Sequence, residues 1–187
     1  MGIQTFQELL TSASTDGPTL TAAARASCIP VANRIVLPNN FFYVGKTLRI
    51  NMSGRISCVV ATPGTARFDI ALGAAGTTIV FDTLALNLNV VAKVTVPWWL
   101  EIILVCRAVG TGTSTTFFPT AKFVSEAVVG SPLPAAGGNG ALLVPTGTPA
   151  VGAGMDNTAA SALDVFFTQT VATGSLTVHN YLVGALN

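Results

Sequence analysis

The longest regular feature of the chain is an alternation. Residues 47 to 60, TLRINMSGRISCVV, put Leu48, Ile50, Met52, Ile56, Cys58 and Val60 at even positions, with Arg49, Asn51, Ser53, Arg55 and Ser57 between them. A period of two marks a half-buried strand, because successive side chains point to opposite faces. The parity passes through Gly54 unchanged, whereas an inserted bulge residue would exchange the faces. One long strand is therefore predicted, bent at the glycine, with its even side in a core. ATPGT follows as a turn. ARFDIAL, with Phe68, Ile70 and Leu72 against Arg67 and Asp69, is predicted to fold back on the long strand as a hairpin. Further strands are predicted at 78–82, 84–96, 98–109, 115–128, 141–144, 161–171 and 175–183, with no helical stretch of useful length between them.

Two segments depart from simple alternation. In WWLEIILVCRAV, Trp98, Leu100, Ile102, Leu104, Cys106 and Ala108 fall on one side; Trp99, Glu101, Ile103, Val105, Arg107 and Val109 fall on the other. Both sides are apolar, so the strand needs a second cover, from a loop or from another subunit. Glu101 and Arg107 are too far apart along the strand to pair together, so each is expected to find a cross-strand or cross-chain partner. At the N-terminus, Phe6, Leu9 and Leu10 have the i, i+3, i+4 spacing of a short amphipathic turn of helix. Residues 1–18 are read as an apolar arm that packs on its own domain or on a neighbour, and 19–187 as a single domain. Phe6, Leu9, Leu10, Trp99, Glu101, Ile103, Val105 and Arg107 are the candidate subunit-interface residues. Between Ser131 and Gly154 lies a loop rich in Gly and Pro, in which Asn139 and Gly140 signal a tight turn.

About eight to ten strands in 187 residues favour an all-β fold, a two-sheet antiparallel sandwich of jelly-roll type, with an up-and-down barrel as runner-up. Composition adds a constraint on the surface. Half the residues are hydrophobic and only 9 % are charged, against about 25 % in an ordinary domain. Spread over the roughly 8,400 Å² expected of a 19.1 kDa monomer, nine basic and eight acidic side chains give about one charge per 500 Å². Part of so uncharged a surface is expected to be hidden in an assembly. The net charge of +1 argues against a nucleic-acid partner, which requires clustered Lys and Arg. MGIQTFQELL carries Glu8 and no basic region, so it is not read as a secretory signal. The most apolar window, VTVPWWLEIILVC, is too short for a bilayer span and is interrupted by Pro97 and Glu101, so no membrane partner is expected.

Candidate chemistry is sparse. Cys28, Cys58 and Cys106 are odd in number and far apart, and are read as small buried thiols. His179 is the one histidine, which excludes metal schemes that need two. It stands opposite Leu176, Val178 and Leu182, beside Thr177 and Tyr181, as a surface or interface residue. No serine has a nucleophile-elbow motif around it, and no two of the eight acids lie closer than eight residues apart. Neither a calcium loop nor a phosphate-binding glycine loop is present. An enzyme is not expected, nor are a cofactor, a metal or catalytic residues.

The blocks LPNNFFYVGKTLRINMSGRISCVVATPGTARFDIALG, WWLEIILVCRAVGTGTS and FVSEAVVG, with the terminal VHNYLVGALN, resemble a recurring type of tailed-bacteriophage virion protein. The likeness runs over most of the chain from about residue 30, and its motifs are structural. It implies a jelly-roll-like sandwich and a place in the virion. The best-fitting role is a capsid decoration (cement) protein on the capsid exterior, made in the host cytoplasm, homotrimeric, and bridging copies of the major capsid protein. A head-fibre or tail component with a receptor- or glycan-binding module is the alternative, for which Phe117 and Phe118 are the candidate loop-tip aromatics.

Overall fold

A computed structural model describes residues 7–59, 62–73, 76–129, 141–148 and 150–186. Among the described residues twelve strands follow one another: β1 (Gln7–Ser12), β2 (Arg25–Ser27), β3 (Ile35–Leu37), β4 (Thr47–Cys58), β5 (Thr65–Leu72), β6 (Thr78–Asp82), β7 (Leu86–Asn87), β8 (Lys93–Ala108), β9 (Thr116–Ser125), β10 (Ala141–Val144), β11 (Ser161–Gln169) and β12 (Ser175–Leu186). One sheet has the order β1-β12-β4-β8-β9-β10. The other runs β2-β11-β5-β6, with β3 added to β11 and β7 to β5. All pairings are antiparallel.

With β3, β7, β9 and β10 set aside, the remaining eight strands run first-eighth-third-sixth in one sheet and second-seventh-fourth-fifth in the other. That is the order of a jelly roll, in which the chain crosses between two packed sheets as a pair of Greek keys. Strands β9 and β10 extend the larger sheet beyond it.

The long alternation is β4, and Leu48, Ile50, Met52, Ile56 and Cys58 are all buried on its inner side. Its partner is not β5. The two strands lie in different sheets, so the predicted hairpin is instead a crossing of the sandwich. Both strands bury one face in the same core, so periodicity looks alike for a hairpin and for a crossing. Between the sheets Phe68 packs on Trp98, Phe123 and Phe167 at centroid distances of 5.2, 5.5 and 5.1 Å. Each such fully buried ring contributes about 1.5–3 kcal/mol by leaving water.

Pro97 does not break the chain into two strands as predicted; β8 runs through it. Its carbonyl points toward β9 and accepts from Ser125 Oγ at 2.9 Å. The missing N–H faces the same side, just past the last β8–β9 ladder pair at Trp98 and Ser125, and costs no hydrogen bond.

From Gln7 onward the N-terminal segment is not helical either. Gln7–Ser12 is an edge strand on β12, and Ala13, Gly17 and Leu20 continue along it through backbone hydrogen bonds to Tyr181, Val178 and Leu176. An isolated helical turn satisfies few of its backbone groups, whereas the edge of β12 offers partners along one side of the segment. Phe6, and the predicted turn at Asn139 and Gly140, lie outside the described residues.

In β12 the register slips between Val178 and Asn180, making His179 an inserted bulge residue. The faces swap there. Leu176 and Val178 are buried before it, and Tyr181, Val183 and Ala185 after it. Tyr181 therefore belongs to the core, and Leu182, predicted to face inward, lies on the outer side.

Candidate interaction surface

The outer face of the larger sheet gathers the predicted β8 residues. Trp99, Glu101, Ile103 and Val105 are half-buried by their neighbours and Arg107 is exposed. Register sets Val124, Lys122, Thr120 and Phe118 of β9 beside Trp99, Glu101, Ile103 and Val105, and Leu143 of β10 beside Lys122. On the other flank stand Ser53, Asn51, Arg49 and Thr47 of β4. Leu143 is 81 % exposed and Leu9, on the same face of β1, 59 %. Leu10 points the other way, to the margin of the core, where it is partly buried. The structure thus brings Leu9 and the β8 residues onto one face and separates Leu10 from them.

The expectation of cross-strand partners for the two charges holds. Arg49 Nε donates to Glu101 Oε1 at 2.7 Å, and register places the Lys122 position on Glu101's other side. The Arg107 guanidinium lies 5.1 Å from the centroid of the Phe118 ring, in cation–π range. The face is therefore mixed: Trp99, Ile103, Val105, Phe118 and Leu143 are apolar, and the bases Arg49, Arg107 and Lys122 and the acid Glu101 stand among them. Aromatic and Arg side chains are enriched in interfaces.

Two hollows flank Trp99. One, of about 310 Å³, is lined by Asn51, Ser53, Trp99, Asn180 and Leu182 among others. The second, of about 510 Å³, lies toward β9 and includes Pro97, Val124 and Glu126. Trp99 is thus a half-exposed aromatic wall with amide and hydroxyl groups beside it. Phe117 and Phe118 are not loop-tip aromatics. They are adjacent in β9, so pleating buries Phe117 in the core and turns Phe118 outward.

At the end of this face beyond Ser53, where Arg55 continues the outer side of β4, His179 sits between two charged side chains. Arg55 Nε donates to His179 Nε2 at 2.8 Å, and His179 Nδ1 lies 2.8 Å from Asp16 Oδ1. Since the guanidinium can only donate, Nε2 is the acceptor and the ring proton sits on Nδ1, facing Asp16. The nitrogen that would have to take a nucleophile's proton is occupied by Arg55. The bulge holds β12, β4 and the segment after β1 together through this chain of contacts.

Arg25 chelates Asp69, which is 1 % exposed, with Nε 2.9 Å from Oδ2, while its guanidinium carbon lies 3.5 Å from the Phe166 centroid. The three cysteines are buried and unbridged, as their apolar surroundings predict, and burial pushes the Cys28 and Cys106 thiols up. Among the described residues no three His, Cys, Asp or Glu side chains converge as metal ligands would.

Sequence reasoning missed Leu143 and Phe118 as members of the outer face, and Arg49 as the partner of Glu101. Their alternating patterns were visible, but the register that brings three strands side by side leaves no local mark. The fold defines a jelly-roll sandwich extended by two strands, carrying a sheet face of aromatic and aliphatic side chains around the Arg49–Glu101 pair. No family model, no curated protein and no solved structure matches the chain.

Proposed function

We propose that the protein is a non-enzymatic structural component of a tailed-phage virion, acting as a capsid decoration protein that clamps neighbouring capsid subunits from outside, as a homotrimer. The observation that carries this reading is the outer face of the larger sheet. Trp99, Ile103, Val105 and Phe118 lie there around the Arg49–Glu101 pair, on a chain with about one charge per 500 Å². The phage-like blocks named above supply the context. A cement protein works by adding buried area across subunit seams, and three linked copies multiply weak contacts into firm attachment. Each contact then needs about 800 Å² per partner. The test is reconstitution: purified protein is added to particles that lack it, and resistance to heat is measured. Binding with a raised disruption temperature is expected; particles that neither bind the protein nor gain resistance would reject the role.

The hollows beside Trp99 favour a second reading, a glycan- or receptor-binding module. A sugar face stacks on an indole, and the Asn51, Ser53 and Asn180 side chains offer neutral hydrogen-bonding groups at its edge. Glycan-array binding that vanishes in Trp99→Ala, with particle stability untouched, would select it over the first.

A further inference from the structure

Between the two sheets, on the side of β1 and β3, the sandwich opens into a cleft of about 570 Å³. Its walls are Leu10 of β1 and Ile35, Val36 and Leu37 of β3, and it ends at Phe41 and Lys46. Leu10, Ile35 and Phe41 are margin residues of the core, each partly exposed, and Val36 is 68 % exposed. Both walls are edges. β1 is paired with β12 alone and β3 with β11 alone, so among the described residues each presents a free strand edge. At one end the Asn33 amide closes the gap by donating to the Ser12 carbonyl and to Thr11 Oγ1. At the other end stands Lys46.

Lys46 is only 8 % exposed. Its Nζ lies 3.7 Å from the Phe41 ring centroid and 5.5 Å from that of Tyr43. Among the described residues no carboxylate or carbonyl oxygen accepts a hydrogen bond from it. Burial lowers its pKa, and the field of Glu8, the other charged residue of the cleft, acts in the opposite direction without forming an ion pair. An ammonium resting on aromatic faces, with no acceptor among the described residues, still has its hydrogen-bond donors to place.

We propose that this cleft binds an extended, largely apolar segment of a partner polypeptide whose carboxylate is received by Lys46. The free edges of β1 and β3 supply main-chain hydrogen bonds, as in strand addition; the partly exposed Leu10, Ile35 and Phe41 take the segment's apolar side chains. Lys46 fixes the register by pairing with an acidic side chain or a terminal carboxylate at its own end of the cleft, where it, and not Glu8, is the nearer charge to the Phe41 ring. The site is separate from the outer face and goes beyond the role proposed above, so either reading can fail without the other.

The test uses the intact chain. Peptides are selected on it from a displayed random dodecapeptide library, and the enriched ones are synthesised with a fluorophore and titrated by anisotropy. Enriched sequences are expected to combine an apolar β-forming run with an Asp or Glu. Lys46→Met and, independently, the exposed Val36→Glu are each expected to weaken binding about tenfold or more. Replacing the peptide acid by its amide should cost the wild type as much, whereas Lys46→Met is expected to keep measurable, weakened binding that is equal for acid and amide; a misfolded variant would bind neither. The proposal is overturned if no peptide is enriched, if both variants bind within about twofold of the wild type, or if the amide peptide binds as well as the acid.

Discussion

Asp164 shows how one side chain ties stability to pH. It is 9 % exposed, accepts from Ser27 Oγ at 2.6 Å and from the Val165 N–H at 2.8 Å, and lies 3.4 Å from Arg34 Nε. Burial nevertheless outweighs these partners and holds its pKa above the ordinary value of 3.8. An acid raised in the folded state is penalised whenever it is ionised, so folding loses free energy above its folded pKa and regains it as pH falls toward 3.8. Asp164→Asn, which never ionises, is expected to be the more stable protein at pH 7. Its advantage in thermal midpoint should shrink steadily as the buffer is taken down to pH 4, and a constant difference across that range would contradict the assignment. The sequence offered Asp164 only as one of eight scattered acids. Its burial depends on β2 crossing β11 from 137 residues away, a proximity with no local signature. The Arg25–Asp69 chelate was hidden for the same reason.

At the scale of elements, β4 and β12 show what a pattern reveals and what it conceals. The parity of β4 was legible throughout, because the strand itself carries no bulge. The irregularity sits in its partner, at His179, where the parity change is masked by apolar residues on both sides: Leu176, Val178, Tyr181, Leu182 and Val183. Gly54 is the trace the bulge leaves on β4. A Cβ built there would come within 1.9 Å of the Thr177 carbonyl oxygen and 3.0 Å of Val178 Cα, so the backbones approach as only glycine allows. Gly54→Ala is therefore expected to destabilise the fold by about 3 kcal/mol or more, because backbone rather than a side-chain tip must move. Chemical denaturation measures this. A change below about 1 kcal/mol would mean that the two strands separate freely at the bulge. The pattern predicts strands 78–82 and 141–144 with their observed bounds, both being short apolar runs set off by turn residues. Pro97 misled because proline argues against a central strand, and only the ladder's end at Ser125 shows why it is tolerated.

For the whole molecule, the question is whether the outer sheet face is a free surface or a contact surface, and a single position can decide it. Ile103 lies near the middle of that face, opposite Arg49 on β4 and Thr120 on β9, and is half-buried by these neighbours within one chain. A carboxylate at its end reaches water and has the Arg49 guanidinium beside it. Ile103→Glu should accordingly leave the midpoint of chemical unfolding almost where it was, within about 1 kcal/mol. In an assembly the same carboxylate is taken out of water against an apolar partner surface, where an unpaired charge costs several kcal/mol. Light scattering on a sizing column is therefore expected to show wild-type protein as an oligomer at micromolar concentration and Ile103→Glu as a monomer. Scattering masses that agree for the two proteins, with unchanged stability, would make this face bystander surface and move the search for contacts to the strand edges. The two readouts separate because they weigh the same side chain against different surroundings: folding sees the wet rim of one sheet, and association sees whatever closes over it.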